Sequence, residues 1–182
     1  MKIIAFGASY SKNSINKKFA TFAATQFEGA NTEVLDLSIY ELPLYTVDKE
    51  KEIGHPEILQ DFVGKLHSAD LLVISMSEHN GSYTAAFKNL FDWTSRVELK
   101  MFAGKKMLLL STATGPRGGL GVLEAAKTRF PIHGADIVGS FSLPRFNENF
   151  DAGRGILEDD LRNAFNQLIE ETQNVFLNNN IQ

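Results

Sequence analysis

Residues 3–6 read Ile-Ile-Ala-Phe, and a loop rich in hydroxyl groups, residues 7–16, follows them directly. An unbroken apolar run of this length is typical of a strand that is buried on both faces, as in a parallel sheet covered by helices. Three later runs have the same apolar character, and a weaker one is interrupted by acidic residues, which predicts an edge strand. The three runs are Leu71–Ile74, Met107–Leu110 and Ile137–Val138, and the edge strand is Thr32–Leu37.

Between these runs, apolar residues recur at helical spacing. The predicted helices are residues 15–27, 57–67, 84–95, 120–130 and a last one from about residue 156. Strands that alternate with helices predict an α/β domain, with a doubly wound, five-stranded parallel sheet between two helical layers. Residues 41–56, which contain two prolines and mixed charge, are predicted to be a loop, and the asparagines 178–180 a frayed helix end.

The length of 182 residues predicts a single domain that spans residues 1–182. The absence of cysteine excludes disulfides, thiolate nucleophiles and cysteine metal sites, and the four histidines lack the spacing of a metal site. A formal net charge of -4 offers no basic field to a nucleic acid. Because the sequence has neither a signal peptide nor a long apolar span, we expect a cytoplasmic protein that binds no membrane.

In doubly wound sheets, ligands bind outside the carboxyl ends of the strands, so the loops after the first, third and fourth strands are the candidate sites. The first loop carries the hydroxyls of Ser9, Ser11 and Ser14 and the amide of Asn16, and it leads into a helix. A helix N-terminus with hydroxyl donors is suited to a phosphate monoester. The alternative is that Ser14 only caps the helix and the rest is a polar turn.

The loop after the third strand contains Asn80-Gly81, a pair that predicts a tight turn with positive φ and a close approach of the backbone to a flat ligand. The alternative is an ordinary loop with a helix cap at Ser82 or Thr84. The loop after the fourth strand, residues 111–121, carries four glycines, so its main chain can lie against a planar ring and donate N–H groups to it. Here the alternative is a flexible connection.

Taken together, the three loops resemble those of the NAD(P)H-dependent FMN reductases, which are flavodoxin-like flavoproteins. The family pattern G-S-x-R-x-x-S-x-N is matched by Ser9, Ser14 and Asn16. The pattern P-E-Y-N-G-S with a following L-K-N-x-x-D-W is matched by Glu78, Asn80, Gly81, Ser82, Lys88, Asn89, Asp92 and Trp93. The small-residue pattern S-x-x-x-G-x-x-G-G is matched by Ser111, Gly115, Gly118 and Gly119. The chain departs from the family at Ala8, Ser11, Ser77 and His79, where glycine, arginine, proline and tyrosine are usual.

The resemblance implies a flavodoxin-like fold that binds FMN and uses NADPH or NADH, with a small-molecule electron acceptor such as a quinone or free flavin. It implies a homodimer or homotetramer, and it requires no side chain as acid or base. By this resemblance the phosphate is held by Ser9, Ser11, Ser14 and Asn16. One side of the ring is bordered by Glu78, His79, Asn80, Gly81 and Ser82. The pyrimidine side meets main-chain groups of Thr112, Ala113, Thr114, Gly115, Gly118 and Gly119.

Arg117 is a further candidate, for the charge at N1 of reduced flavin or for the phosphate of the nicotinamide cofactor, although a solvated arginine fits the sequence equally well. Two other functions stay open. One is a flavodoxin-type electron carrier, which binds FMN without a nicotinamide site; such carriers are usually more acidic than this chain. The other is a flavin-free binding module on the same fold.

Overall fold

The computed structural model describes residues 1–178, so the predicted frayed end at residues 179 and 180 lies outside the described residues. The central sheet is parallel and has five strands: β1 Lys2–Gly7, β2 Asn31–Val34, β3 Leu71–Met76, β6 Lys106–Thr112 and β7 Asp136–Leu143. Their order is β2-β1-β3-β6-β7, which is the flavodoxin-like order. Two hairpins add β4 Glu78–His79 with β5 Ser82–Tyr83, and β8 Phe150–Asp151 with β9 Gly155–Ile156. The predicted sheet and its weak edge strand β2 are confirmed.

Helices lie on both faces of the sheet, as the sequence predicts. They are α1 Ile15–Thr25, α2 Val47–Ile53, α3 Ile58–His67, α4 Ala85–Val97, α5 Leu120–Arg129, α6 Phe146–Asn149 and α7 Asp159–Asn178. Short 3-10 turns occupy Leu37–Ile39 and Phe130–His133. The five helices expected from apolar periodicity correspond to α1, α3, α4, α5 and α7.

Alternate residues of the central strands enter two separate cores. Ile3 and Ala5 of β1 pack with residues of α1 and α7, and Ile4 and Phe6 pack with residues of α3, α4 and α5. All four are buried, with 0–1% of their surface exposed. Burial on both faces explains why the strand sequences are apolar without interruption.

The prediction of a loop over residues 41–56 is wrong in part, because α2 lies within it. Thr46 caps this helix by accepting a hydrogen bond from the Lys49 N–H at 2.9 Å. The helix has no buried residue, so it lacks the apolar stripe by which the other helices are predicted. Its anchor is Glu50, which accepts hydrogen bonds from Tyr45 Oη and Arg96 Nε, each at 3.0 Å.

The second strand is shorter than predicted and ends at Val34. Asp36 ends the extended segment by capping the next turn, where it accepts from the Ser38 N–H at 3.0 Å and from Lys17 Nζ at 2.9 Å. The bonds from Ser38 and Lys17 lower the pKa of Asp36 to about 2. Because Asp36 caps the turn that begins at Leu37, Leu37 is not part of the strand.

Candidate functional site at the carboxyl edge of the sheet

The three candidate loops meet at one edge of the sheet. The register pairs Gly7 of β1 with Ser75 of β3, and Met76 of β3 with Ser111 of β6. Strand order reverses between β1 and β3, which is where doubly wound folds bind their ligands. The structure therefore brings residues 8–16, 77–84 and 113–119 together, as predicted.

The first loop is wound so that its own groups hold its shape. The Ser11 N–H donates to Ser9 Oγ at 3.1 Å, and the Ser14 N–H donates to the Ser11 carbonyl at 3.1 Å. Ser14 Oγ caps α1 by accepting from the Lys17 N–H at 3.2 Å, which confirms the predicted cap.

Several N–H donors of the first loop remain available for a ligand. Among the described residues, no protein acceptor meets the N–H groups of Tyr10, Lys12, Asn13 and Ile15. They lie at the N-terminus of α1, whose dipole favours an anion. The loop therefore has the donors that a phosphate needs without an arginine at position 11.

Asn16 lies in the same loop, but its side chain is used within the protein. It is buried, with 3% of its surface exposed. Its Nδ2 donates to the Thr112 carbonyl at 3.0 Å, and its Oδ1 accepts from Ser75 Oγ at 2.6 Å and from the Thr112 N–H at 3.0 Å. Asn16 joins the first loop to the ends of β3 and β6.

The second loop is the β4–β5 hairpin. Asn80 and Gly81 form its turn with φ of 52° and 78°, as the Asn-Gly pair predicts. Positive φ at both central positions matches the twist of the paired strands. His79 is exposed beside the turn. Thr84, at the end of the hairpin, caps α4 by accepting from the Phe87 N–H at 3.2 Å, so of the two caps proposed here Thr84 is the one observed.

Glu78 links the hairpin to the third loop. Its Oε2 accepts a hydrogen bond at 3.0 Å from the N–H of Val122, in the first turn of α5. The helix begins after Gly119, which has no side chain to serve as a cap. Glu78 thus supplies to α5 the cap that its own sequence lacks.

In the third loop, several carbonyl groups accept hydrogen bonds from within the protein. Donors at 2.8–3.0 Å satisfy three of them: the Phe146 N–H for Ala113, the Arg145 N–H for Gly115, and the Ser111 hydroxyl for Gly118. No acceptor among residues 1–178 meets the N–H groups of Ala113, Thr114, Gly115, Arg117 and Gly119. The loop therefore offers hydrogen-bond donors to a ligand, and it matches a ligand rich in acceptor atoms.

Gly118 is required by close packing in this loop. Its φ is +58°, and a Cβ there would lie 2.4 Å from Ser142 Oγ and 2.9 Å from the Leu143 carbonyl carbon. Arg117 is exposed on the same loop. Thr112, by contrast, is buried, and its hydroxyl donates to the Leu143 carbonyl at 2.7 Å. Its main-chain groups are taken by Asn16, so Thr112 supports the loop and has little left to offer a ligand.

A cavity of about 400 Å³ lies between the first loop and the hairpin. It is lined by Ser9, Tyr10, Ser11, His79, Thr84, Ala85 and Ala86. Tyr10, Ala85 and Ala86 are not among the site residues predicted from the sequence. Tyr10 Oη donates to the Tyr40 carbonyl at 2.6 Å, and burial together with Glu41 raises the pKa of Tyr10 to about 12. The Tyr10 hydroxyl therefore stays protonated, and its side chain lines the cavity without taking part in proton transfer. No sequence signal distinguishes Tyr10 from a surface tyrosine.

A cavity of comparable volume, 450 Å³, lies at the opposite edge of the sheet, near Asp70 and Lys105. We place the site at the carboxyl edge because the unused N–H donors and the α1 N-terminus lie there. Within residues 1–178, no group of histidine, aspartate and glutamate side chains is arranged to hold a metal ion. No helix in that range is both long and apolar enough to cross a membrane.

The sequence pattern of a family described as NADPH-dependent FMN reductase matches residues 1–148. The chain belongs to this family. A curated relative from Mycoplasma pneumoniae, described as uncharacterized, is 33% identical over 148 residues, which are 78% of this chain and 86% of the relative. The quinone reductase of Escherichia coli K12 is 32% identical over 120 residues, 65% of this chain and 63% of that enzyme.

Among solved structures, FerB, a flavoenzyme NAD(P)H:(acceptor) oxidoreductase from Paracoccus denitrificans, superimposes with a TM-score of 0.71 at 20% identity. The match covers 95% of this chain and 97% of FerB. The flavodoxin-like fold is confirmed by this likeness and by the strand order. Family membership confirms the predicted class of enzyme, an NAD(P)H-dependent oxidoreductase of the FMN reductase type.

Proposed function

We propose that residues 1–182 form a single FMN-binding domain that takes hydride from NAD(P)H and passes electrons to a quinone or to free flavin. The observation that carries the site assignment is that two loops at one edge of the sheet leave several N–H groups without an acceptor among the described residues. FMN carries a phosphate at one end and a ring rich in acceptor atoms at the other. The two sets of donors fit these two ends.

The phosphate is assigned to the first loop. Ser9 and Ser11 contribute hydroxyls, Ser14 contributes its hydroxyl while it caps α1, and the available N–H groups add donors at the positive end of the helix dipole. Asn16 is assigned a different role from the one the family pattern implies. Its Oδ1 accepts two hydrogen bonds and its Nδ2 donates one within the protein, so we assign it to holding the loop in the shape that receives the phosphate.

The ring is assigned to the space between the hairpin and the third loop. His79, Asn80, Gly81 and Ser82 border one side, and Glu78 holds the hairpin against α5. The N–H groups of Ala113, Thr114, Gly115 and Gly119, which have no acceptor among the described residues, would bind the acceptor atoms of the pyrimidine side. Gly118 allows the tight turn that presents them, and Thr112 anchors it.

When bound, FMN supplies the hydride chemistry, and the protein contributes binding, orientation and electrostatic environment. NADPH and NADH are both proposed donors, with Arg117 as the candidate contact for a nicotinamide cofactor because it is exposed at the rim of the third loop. A quinone is the favoured acceptor because a relative at 32% identity is a quinone reductase.

The experiment is to load the purified protein with FMN and mix it with NADH or NADPH in the absence of oxygen. We expect the flavin absorption band to bleach with at least one donor and to return when a quinone is added. A yellow protein that no donor bleaches is an electron carrier. A protein that takes up no FMN is a binding module, and either result overturns the proposal.

We also propose that the protein is cytoplasmic and assembles as a homodimer or homotetramer. Apolar side chains exposed at and just before the start of α2 support a subunit contact: Leu44 is 78% exposed and Val47 57%. Sedimentation equilibrium tests the assembly, and a monomer at micromolar concentration would contradict it.

A further inference from the structure

The first turn of α5 is unusual because its stabilising groups come from elsewhere in the chain. Gly119, at the N-cap, adopts φ of +76° and has no side chain to accept a hydrogen bond. No acidic residue occupies the first turn to offset the helix dipole. A helix start of this kind leaves N–H groups without partners, and capping by another segment satisfies them.

Glu78, 44 residues earlier in the chain, provides a hydrogen-bond acceptor for one of these N–H groups. Its Oε2 lies 3.0 Å from the Val122 N–H. Gly121 leaves room for this approach, because a Cβ at that position would stand 3.0 Å from the same oxygen, tighter than an ordinary contact. A glycine in the helix and a glutamate in the hairpin together make the contact.

The contact connects two parts of the proposed flavin site. The hairpin that begins at Glu78 borders one side of the ring, and the loop that ends at Gly119 presents its N–H groups to the other side. The hairpin also packs against this part of the chain through Tyr83, whose ring stacks on Phe130 at the end of α5. Glu78 adds the hydrogen bond that joins the hairpin to the first turn of α5.

The contact also places the carboxylate of Glu78 at the N-terminus of α5. A glutamate carboxylate ordinarily bears a full negative charge at pH 7, and a helix N-terminus bears about half a positive charge. Glu78 therefore offsets the positive end of α5 at the loop that faces the pyrimidine side of the ring. Reduction adds electrons to this ring, so a negative charge nearby disfavours the reduced form relative to the oxidised form.

Resting on the proposed function, we infer that Glu78 is a positioning residue that holds the hairpin against α5, and that its charge lowers the reduction potential of the bound flavin. In this way the chain keeps the reduced flavin a strong electron donor to its acceptor.

The test compares Glu78→Gln, Glu78→Ala and a matched control, Glu124→Gln. The glutamine retains an acceptor oxygen for the Val122 N–H and removes only the charge. Glu124 is an exposed acid on α5 that pairs with Lys127 at 3.0 Å, so its substitution removes a charge from the same helix away from the site. The measurements are the FMN dissociation constant, the two-electron midpoint potential, and amide hydrogen exchange of Val122 in the flavin-free protein.

For Glu78→Gln we expect oxidised FMN to bind within about threefold of the wild type and Val122 to stay protected. Reduced FMN should gain about tenfold in binding relative to oxidised FMN, which for a two-electron couple raises the potential by about 30 mV. For Glu78→Ala we expect Val122 to exchange faster and FMN to bind about tenfold more weakly. Glu124→Gln should change none of these quantities.

An unchanged potential in Glu78→Gln, or an equal shift in Glu124→Gln, overturns the charge role. Unchanged Val122 exchange in Glu78→Ala overturns the positioning role. If the wild type binds FMN and bleaches but the variants match it, this inference alone is wrong. If the wild type takes up no FMN, the proposed function and the charge role both fail, and the exchange experiment still decides whether Glu78 holds α5.

Discussion

Asn16 and Thr112, 96 positions apart, are joined by two hydrogen bonds of 3.0 Å, one donated by Asn16 Nδ2 and one donated by the Thr112 N–H. The side-chain amide pairs with the main chain as a neighbouring strand would. A third bond, from Ser75 Oγ to Asn16 Oδ1, brings in the end of β3. The first loop is thereby fixed to the strands that precede the other two loops, and this contact defines the shape of the site.

Asn16→Ala should destabilise the protein and weaken FMN binding. The change leaves the buried N–H and carbonyl of Thr112 without partners, which costs about 3 kcal/mol in the free energy of unfolding. Urea unfolding measures this loss. Asn13→Ala is the control, because Asn13 is exposed in the same loop and its substitution should cost less than about 0.5 kcal/mol. Equal losses in the two variants would contradict the role of Asn16.

Ser14→Ala should weaken binding of FMN more than binding of riboflavin, because the phosphate is the group affected. A hydrogen bond to a charged group contributes about 1.5–3 kcal/mol. Loss of the cap also lowers the unfolding free energy by about 1 kcal/mol. Thr46→Ala is the control, since Thr46 caps α2 in the same way. It should lower stability similarly and leave both affinities unchanged, as measured by fluorescence titration. Equal losses for FMN and riboflavin would show that the loop does not hold phosphate.

Gly118→Ala should destabilise the third loop by about 1–3 kcal/mol, because the backbone has positive φ and the new Cβ meets Ser142 and Leu143. Gly115→Ala should be close to neutral, because nothing lies within 4 Å of a Cβ built there. Thermal unfolding of both variants measures the difference. A neutral Gly118→Ala would mean that the loop is looser than its packing indicates.

The stability lost in Glu50→Gln should depend on pH. Hydrogen bonds from His55 and Arg96 lower the pKa of Glu50 to about 2, so its folded pKa lies below its unfolded value of about 4.3. A depressed carboxyl pKa adds stability above the unfolded pKa, and this is lost as the pH falls toward the folded value. The difference between wild type and variant should therefore be full at pH 7 and shrink between about pH 4.3 and 2. Urea unfolding at several pH values measures it, and a difference that grows on acidification would contradict the assignment.

Tyr83→Phe should raise the unfolding free energy by about 1 kcal/mol. The Tyr83 hydroxyl is buried and has no hydrogen-bond partner among the described residues, and burial raises the pKa of Tyr83. Removing an unsatisfied polar group is favourable. Tyr40→Phe is the opposite control: its hydroxyl donates to Asp61 at 2.8 Å, so its loss should be destabilising. A destabilised Tyr83→Phe would show that the hydroxyl has a partner in solution.

Much of the fold could be predicted because burial leaves a strong pattern. Leu71–Ile74 and Met107–Leu110 are apolar without interruption since both faces of their strands are covered. The helix α2 could not be predicted in this way, because it buries no residue and depends on contacts between Glu50 and the distant Arg96. The Asn80-Gly81 turn was predicted correctly, because its φ angles are a local property of two residues.

The sequence by itself determined the alternation of strands and helices, the turn of the hairpin and the cap at Ser14, because each depends on neighbouring residues; for α4 it left the cap open between Ser82 and Thr84. Only the tertiary structure decided which protein groups Asn16 and Glu78 contact. Both belong to the family pattern and are predicted to contact the cofactor, and the structure adds a protein partner for each, Thr112 for Asn16 and Val122 for Glu78. Their partners lie 96 and 44 positions away. Contacts over such distances exist only after the sheet has brought its strand ends to one edge.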